Sequence, residues 1–395
     1  MKLTNVNIVP SSDNDRCIRV QGTVEYGNGD TELYWFDFPI EENRYLTCAG
    51  DPWLVCLLPV AMTLGDSLEI DFPVDGVLYE NSLKLKKIWK RWYPYLHDIE
   101  LHVNVQNEDL GFNEGSGRCA AFFSGGVDSL FTLIKEKQEI DDLLAVWGFD
   151  ISLENDIGFR AHSEALQRIN EFYRKNIIFI KTNLRKTKHC QTKWGSLSHA
   201  SALASVGLFL KKKYKKLLIA SSGGDNLQLW GSHVETDPLL STSTTEVIHD
   251  GAGYSRIDKC SELLNHDYLM PYLHVCYKNS DEKNCSSCSK CLRTLVTFYL
   301  LGGLDKCRSF DLSKIDFSRI SKVFMKGFSR YYFNEIRELA KQNKEKEIIK
   351  YIDNGSKLSF FIEKQLLLAK NLTRMRGVWR LGSMYENYLL NKVIH

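Results

Sequence analysis

The sequence predicts an α/β fold, a parallel β-sheet covered by helices on both faces. Three observations carry this expectation. From Arg118 onward, short apolar runs alternate with segments of helical periodicity, as in strand–helix–strand units. Small and polar residues follow those runs, where a parallel sheet presents its ligand edge. The residues before Arg118 and after Phe310 have different patterns. They predict an N-terminal α+β unit over 1–110, a central domain over 118–305 and a C-terminal helical extension over 311–395.

In the first unit, residues 18–26 alternate in part, Gly27-Asn28-Gly29-Asp30 supplies a turn, and Leu33 to Phe36 returns. This is a hairpin signal. Asp51 as cap and Pro52 in the first turn open a helix to Met62. A strand over Ser67–Phe72, a helix over Asn81–Trp92 and a strand over Ile99–Val105 complete the unit. Tyr34, Trp35, Phe36, Trp53, Trp89, Trp92 and Tyr93 read as core or interface rather than as a ligand cage. The polar, glycine-bearing stretch Asn107–Gly117 reads as a linker.

The central domain has candidate strands at Cys119–Phe123, Leu143–Trp147, Ile177–Ile180, Leu217–Ala220 and Val247–His249. Helices over Ala161–Tyr173 and Ser198–Lys213 fall between them. The strand ends carry Ser124 to Ser129, Gly148-Phe149-Asp150, Thr182-Asn183, Ser221 to Asp225 and His249-Asp250-Gly251. The run Lys211 to Lys216 reads as a solvated helix C-terminus that offsets the dipole, with contact to an RNA backbone as the alternative. The stretch from Trp230 to Thr245 is rich in hydrogen-bonding side chains. Asp225 before it, and Trp230, His233 and Asp237 within it, are candidate substrate contacts, against a plain reading as a hydrated loop.

The most informative stretch is Ser124-Gly125-Gly126-Val127-Asp128-Ser129. It joins a short apolar run to a segment in which Leu130, Leu133 and Ile134 recur at helical spacing. A tight loop here aims backbone N–H groups and the positive end of a helix dipole at one point, which suits a phosphate. Gly125 and Gly126 permit positive φ and close approach. Ser124 and Ser129 supply hydroxyl groups, and Asp128 suits a divalent cation shared with the phosphates.

This motif resembles the SGGxDS signature of the N-type PP-loop ATP pyrophosphatases. The resemblance implies a Rossmann-like, adenine nucleotide alpha hydrolase-like sheet. It also implies ATP and Mg2+ as cofactors and cleavage of ATP between its α and β phosphates. The lysine-bearing GxxxxGK[ST] loop of γ-phosphate transfer is absent. By the same resemblance, Gly148 and Phe149 after the second strand fall near the adenine; ordinary packing is the other reading of that stretch.

A second signal is Cys276, Cys285, Cys288 and Cys291, spaced C-x8-C-x2-C-x2-C. Four thiolates in so short a window fit a closed tetrahedral zinc site of structural kind. An iron–sulfur cluster is the competing reading. Lys278, Lys283 and Lys290 would offset the charge. A helix over Ser289–Leu300 follows. The spacing and the trailing Leu292-Arg293 resemble the zinc-containing 7-cyano-7-deazaguanine synthase family of queuosine precursor synthesis. The likeness covers about half the chain, roughly Arg118 to Leu300. Lys259 falls where that family has a phosphate-reaching lysine, and Arg293 adds a further charge. Asp128, Ser129, Lys259 and Arg293 are therefore the expected catalytic residues.

The chain departs from the family where an Asp-Cys-Arg run would read the substrate; Leu229 to Asp237 stands there instead. Enlarged relatives of this branch are associated with anti-phage operons, and the resemblance permits, without showing it, a role in joining a deazaguanine-type base to a protein partner from the same operon. The expected reaction is adenylation of a carboxylate, then attack by ammonia or an amine with release of AMP. In the named family a further round converts amide to nitrile. Transfer RNA thiolation, with Cys190 as sulfur carrier, and a non-enzymatic ATP-binding scaffold are the alternatives.

Hydrophobic content of 44% and charged content of 25% are those of a globular chain. The net charge of +2 argues against a broad nucleic-acid or membrane surface. No apolar run reaches the length of a spanning helix, and the N-terminal residues do not read as a secretion signal. A reducing cytoplasm is the expected compartment for the eleven cysteines. The tail from Asp311 places Ile320, Val323, Phe324 and Phe328 on one helical face. It reads as packing, with a homodimer face or an active-site cover as alternatives.

Overall fold

The computed structural model describes residues 1–106, 117–223, 229–276 and 284–375, with side chains described to residue 368. The chain divides into two compact units, Met1–Ser255 and Arg256–His395.

The first unit opens with strands β1 (Lys2–Pro10), β2 (Cys17–Glu25) and β3 (Thr31–Pro39), paired antiparallel in turn. The predicted hairpin is β2–β3, with Glu25 opposite Thr31. β1 carries no clean alternation because a bulge interrupts its pairing between Thr4 and Asn7, with Asn5 at φ 51°. Then come α1 (Asp51–Leu64), β4 (Leu68–Val74), α2 (Gly76–Trp92) and β5 (Leu101–Val105). Asp51 is not the cap of α1: Gly50 holds that place. Asp51 is fully buried and accepts from the Asp75 backbone N–H at 2.7 Å and from Lys211 Nζ at 2.5 Å. α2 begins at Gly76 because the Asp75 side chain accepts from the N–H groups of Val77 and Leu78.

The chain continues through β6 (Arg118–Phe122), α3 (Val127–Lys135), β7 (Asp142–Trp147), α4 (Asp156–Tyr173), β8 (Asn176–Thr182), α5 (His199–Leu208), β9 (Tyr214–Ala220) and β10 (Glu246–Asp250). All ten strands form one mixed, mostly parallel sheet, in the order β10-β9-β6-β7-β8-β3-β2-β1-β4-β5. β6 to β10 run parallel, whereas β8 meets β3 antiparallel through Phe36↔Thr182 and Asp37↔Lys181. Asn183 secures that seam: its Oδ1 accepts from Trp35 N at 3.0 Å, and its Nδ2 donates to Leu33 O at 2.8 Å.

Both sheet faces are covered. Ala120, Phe122, Leu144, Leu217 and Ile219 join one core with Trp53, Leu54 and Phe209. The alternate residues Ala121, Leu143, Ala145 and Leu218 are buried on the opposite face, where α3 packs on β6 and β9 and α4 on β8. Tyr34, Phe36, Trp53 and Trp89 are buried core, as expected.

The basic run is not a solvated helix end. α5 stops at Leu208, and Tyr214 to Lys216 belong to β9. Lys211 and Lys213 are buried, against Asp51 and against Glu42 and Asp142 respectively. Buried carboxylates from distant segments draw these ammonium groups inward.

The second unit holds α6 (Arg256–Leu264), α7 (Ser289–Leu300), α8 (Phe328–Gln342) and α9 (Lys346–Met375). Leu292, Val296, Phe333, Ile336, Ile348 and Ile352 share its core. Ile320, Val323 and Phe324 do not lie on one α-helix with Phe328. Phe317–Lys322 is a short 3-10 turn, and α8 starts at Phe328.

Candidate functional site

Within the parallel part of the sheet, β6 sits between β7 and β9. The chain runs outward from β6 to β7 and β8, then returns to the other side for β9 and β10. The carboxyl end of β6 is therefore a topological switch point, the usual ligand crevice of an open α/β sheet. The stretch from Ser124 to Ser129 occupies it.

Gly125 has φ +64°, and a Cβ there would stand 2.8 Å from Leu166 Cδ2 on α4. Both facts favour glycine. Gly126 is the N-cap of α3, with extended backbone and no side-chain cap hydrogen bond among the described residues. α2 and α4, by contrast, are capped by Asp75 and Asn155. Gly126 has no side chain, so the N-cap residue itself supplies no acceptor to the first N–H groups of α3. Ser124 is exposed, whereas Ser129 is buried. The two hydroxyl oxygens lie 3.3 Å apart, and Ser129 Oγ donates to Gly126 O at 3.2 Å. Asp128, half-buried, lies in the first turn of α3.

The neighbouring strand ends divide into rim and core. Gly148, at φ +103°, admits no Cβ: one would lie 2.0 Å from Thr182 O. Phe149 is buried against Trp194, with ring centroids 5.0 Å apart. Trp147 stacks on Phe159 at 4.3 Å. Phe149 therefore packs inward, as the plain reading of that stretch had it. After β9, Ser221 Oγ donates to Gly223 O at 2.9 Å. Asp225 lies outside the described residues.

Asp237 is fully buried and organises its loop. Its Oδ1 accepts from His233 N at 3.0 Å, and its Oδ2 accepts from Ser232 Oγ at 2.6 Å. His249 Nδ1 lies 2.7 Å from the same Oδ2. His233 Nδ1 accepts from Glu235 N at 3.0 Å, and its ring meets Trp92 edge-on at 4.8 Å. Trp230, half-buried, lies 5.9 Å from the His199 ring. Asp237 thus shapes the stretch. Cys190 is exposed.

In the second unit, the four cysteines converge. Their sulfur atoms lie within 4.8 Å of one another. Three separations are 4.0 Å (Cys276–Cys288), 3.8 Å (Cys285–Cys291) and 3.5 Å (Cys288–Cys291). A tetrahedron with zinc–sulfur bonds of about 2.3 Å has edges of about 3.8 Å, so the set fits zinc. Asn284, buried, holds the knuckle: its Oδ1 accepts from Val275 N at 2.8 Å and Cys276 N at 3.0 Å. Its Nδ2 donates to Leu273 O at 2.8 Å. Ser286 turns the chain at φ 58°, and Cys288 N donates to Cys285 Sγ at 3.3 Å. Hydrogen bonding to Cys276 and Cys288, then burial, pushes the Cys291 thiol up. A bound cation reverses that repulsion among thiolates. Lys278 and Lys283 lie outside the described residues.

Lys259 is buried on α6, and Arg293 lies on α7 with its guanidinium 4.0 Å from the Tyr332 ring centre on α8. Arg256 reaches the same ring at 6.0 Å. Neither Arg256 nor Tyr332 is among the residues expected from the sequence. For Arg256 the one signal was its three-residue spacing from Lys259, which puts both on one helix face; Tyr332 had none. No helix among the described residues is long and apolar enough to cross a membrane.

No protein-family model matches the chain, nor does any curated protein or solved structure.

Proposed function

We propose that the chain is an AMP-forming, ATP-dependent ligase of the PP-loop pyrophosphatase type, with a structural zinc centre. One observation carries this reading: the Ser124–Ser129 loop lies at the switch point of a parallel sheet and leads into a helix whose N-cap residue, Gly126, supplies no side-chain acceptor. Strand order, with two strands to one side of the loop-bearing strand and two to the other, supports the Rossmann-like subclass.

In this reading a substrate carboxylate oxygen attacks the α-phosphorus of ATP. The Pα–O–Pβ bond breaks, pyrophosphate leaves, and an acyl-adenylate forms. The backbone N–H groups of residues 125–129 and the Ser124 and Ser129 hydroxyls hold the leaving group and stabilise its developing charge. Asp128 would hold a magnesium ion, which would supply further neutralisation of the phosphates. Ammonia or an amine then attacks the acyl carbon, and AMP leaves. Lys259 and Arg293 are assigned as phosphate-facing charges by resemblance. The acceptor is a carboxylate of deazaguanine type or a relative of it, with Trp230 as its candidate contact.

The Asp128→Ala/Ser129→Ala double variant tests this, assayed for pyrophosphate and AMP release with candidate carboxylates. Release is expected to fall at least about a hundredfold. Unchanged release rejects the assignment.

A further inference from the structure

A buried imidazole at the ligand edge of the sheet has one ring nitrogen without a partner. His249 lies near the carboxyl end of β10, opposite Ile219 of β9. Ile248 of β10 and Ala121 of β6 both pair with Leu218 of β9. One residue further on, His249, Ile219 and Phe122 therefore form a row across the three strands. At about 4.8 Å per strand, His249 stands about 10 Å from Phe122, and the Ser124–Ser129 loop begins two residues later. Asp250 reaches Thr132 of α3, so strand alternation puts His249 on the opposite face, the one that carries Ile219 and Phe122.

The neighbours of His249 fix the ring. Its Nδ1 lies 2.7 Å from Asp237 Oδ2. The Ser232 hydroxyl donates to the same oxygen at 2.6 Å and lies 3.2 Å from Nδ1. The Asp237 side chain is fully buried, and that of His249 is 2% exposed. A carboxylate oxygen accepts, so the neutral ring carries its proton on Nδ1 and a lone pair on Nε2. Nε2 is buried and has no hydrogen-bond partner among the described residues. A buried acceptor without a donor is costly, and a native fold that keeps one calls for a reason.

The order of contacts separates this set from a serine-nucleophile triad. In such a triad the serine proton goes to the imidazole nitrogen that faces away from the carboxylate. Ser232 stands on the Nδ1 side instead and donates to Asp237. It anchors the carboxylate and leaves Nε2 to a donor from outside the set.

We propose that His249 is the general base of the amine step, with Asp237 and Ser232 as its positioning residues. The role rests on the ligase reading above and supplies what that reading leaves unassigned, the acceptor of the amine's proton. The ammonia lone pair forms a C–N bond to the acyl carbon. His249 Nε2 takes a proton from that nitrogen, the acyl C–O bond breaks, and its electron pair leaves with AMP. Asp237 stabilises the imidazolium that results, which then gives its proton to solvent.

Two assays on the full-length, zinc-loaded chain test this, with 7-carboxy-7-deazaguanine as acceptor and ammonium chloride as nitrogen source. Exchange of labelled pyrophosphate into ATP reads adenylation alone. Amide formation with release of AMP reads both steps. His249→Asn keeps a donor beside Asp237 and removes Nε2. It is expected to slow amide formation about a hundredfold and exchange by less than about threefold. Hydroxylamine, whose adduct sheds its proton more readily than that of ammonia, is expected to restore most of the lost rate. Should His249→Asn fail to fold, His249→Gln carries the test, with melting temperatures as the control. Equal losses in the two assays, an equal defect with hydroxylamine and ammonia, or no defect at all overturns the inference. If the wild type gives neither exchange nor AMP, the ligase reading fails and the role falls with it. An active wild type beside an unimpaired His249→Asn removes the role alone.

Discussion

Thr132 donates a 2.7 Å hydrogen bond to Asp250, and this ties α3 to the last parallel strand. Lys135, one turn further along α3, pairs with the other oxygen of Asp250 at 2.6 Å. The helix whose first turn faces the crevice is thus anchored from behind, through β10. Thr132 and Asp250 are both buried. Thr132→Val leaves Asp250 Oδ2 without this donor and is expected to cost about 1–3 kcal/mol of stability. Urea denaturation at neutral pH measures it. A loss below about 0.5 kcal/mol would show that the tie is slack.

The loop itself is sensitive at Gly125. A side chain there meets two obstacles, the positive φ and the buried Leu166 methyl at 2.8 Å. The backbone cost alone is about 1–2 kcal/mol. On the proposed reading, in which this turn holds the phosphates of ATP, Gly125→Ala is expected to raise the KM for ATP more than it lowers the melting temperature. An unaltered KM in a stable variant would detach this turn from nucleotide binding.

The cysteine knuckle predicts its own stoichiometry. Elemental analysis of the purified chain is expected to give about one zinc per chain. Visible absorbance that bleaches on reduction would instead mark an iron–sulfur cluster. Chelation, or Cys291→Ser, is expected to destabilise the second unit by several kcal/mol, because metal binding and folding are coupled. Ser286 and Asn284 hold the loop around the sulfurs, so the effect belongs to the whole knuckle. A chelated chain with an unchanged melting temperature would contradict the structural role.

Local signals explain what was legible in the sequence. The strand before the loop and the helix after it are short, regular and bounded by Gly125 and Gly126. The cysteines declare themselves by spacing. What escaped depends on partners far away in the chain. Lys211 reads as solvated until Asp51, 160 residues earlier, is placed against it. Lys213 does so until Glu42, 171 residues earlier, meets it at 2.8 Å. The union of the first strands with the parallel sheet rests on two antiparallel pairs between β3 and β8, and no periodicity marks it. Asp237 was singled out as a substrate contact for its position, yet its oxygens serve Ser232, His233 and His249. A buried carboxylate and a ligand-facing one look alike in sequence; hydrogen-bond partners separate them.

The pH dependence of the fold has an identifiable source at His189. The ring is buried, and neither nitrogen has a hydrogen-bond partner among the described residues. Burial, with the nearby Arg185 guanidinium second, pulls the imidazole down to about 3 from its ordinary 6.5. Between those values the native ring stays neutral while the unfolded chain takes up a proton. The contribution is therefore complete above pH 6.5 and is lost as pH falls toward about 3. From pH 6.5 to 5 the loss is about 2 kcal/mol. His189→Leu removes the titrating ring from a site that offers it no hydrogen bond. Urea denaturation at pH 7 and pH 5 is expected to show a stability difference smaller by about 2 kcal/mol in the variant than in the wild type. If both proteins lose stability in parallel, acid sensitivity arises elsewhere in the chain.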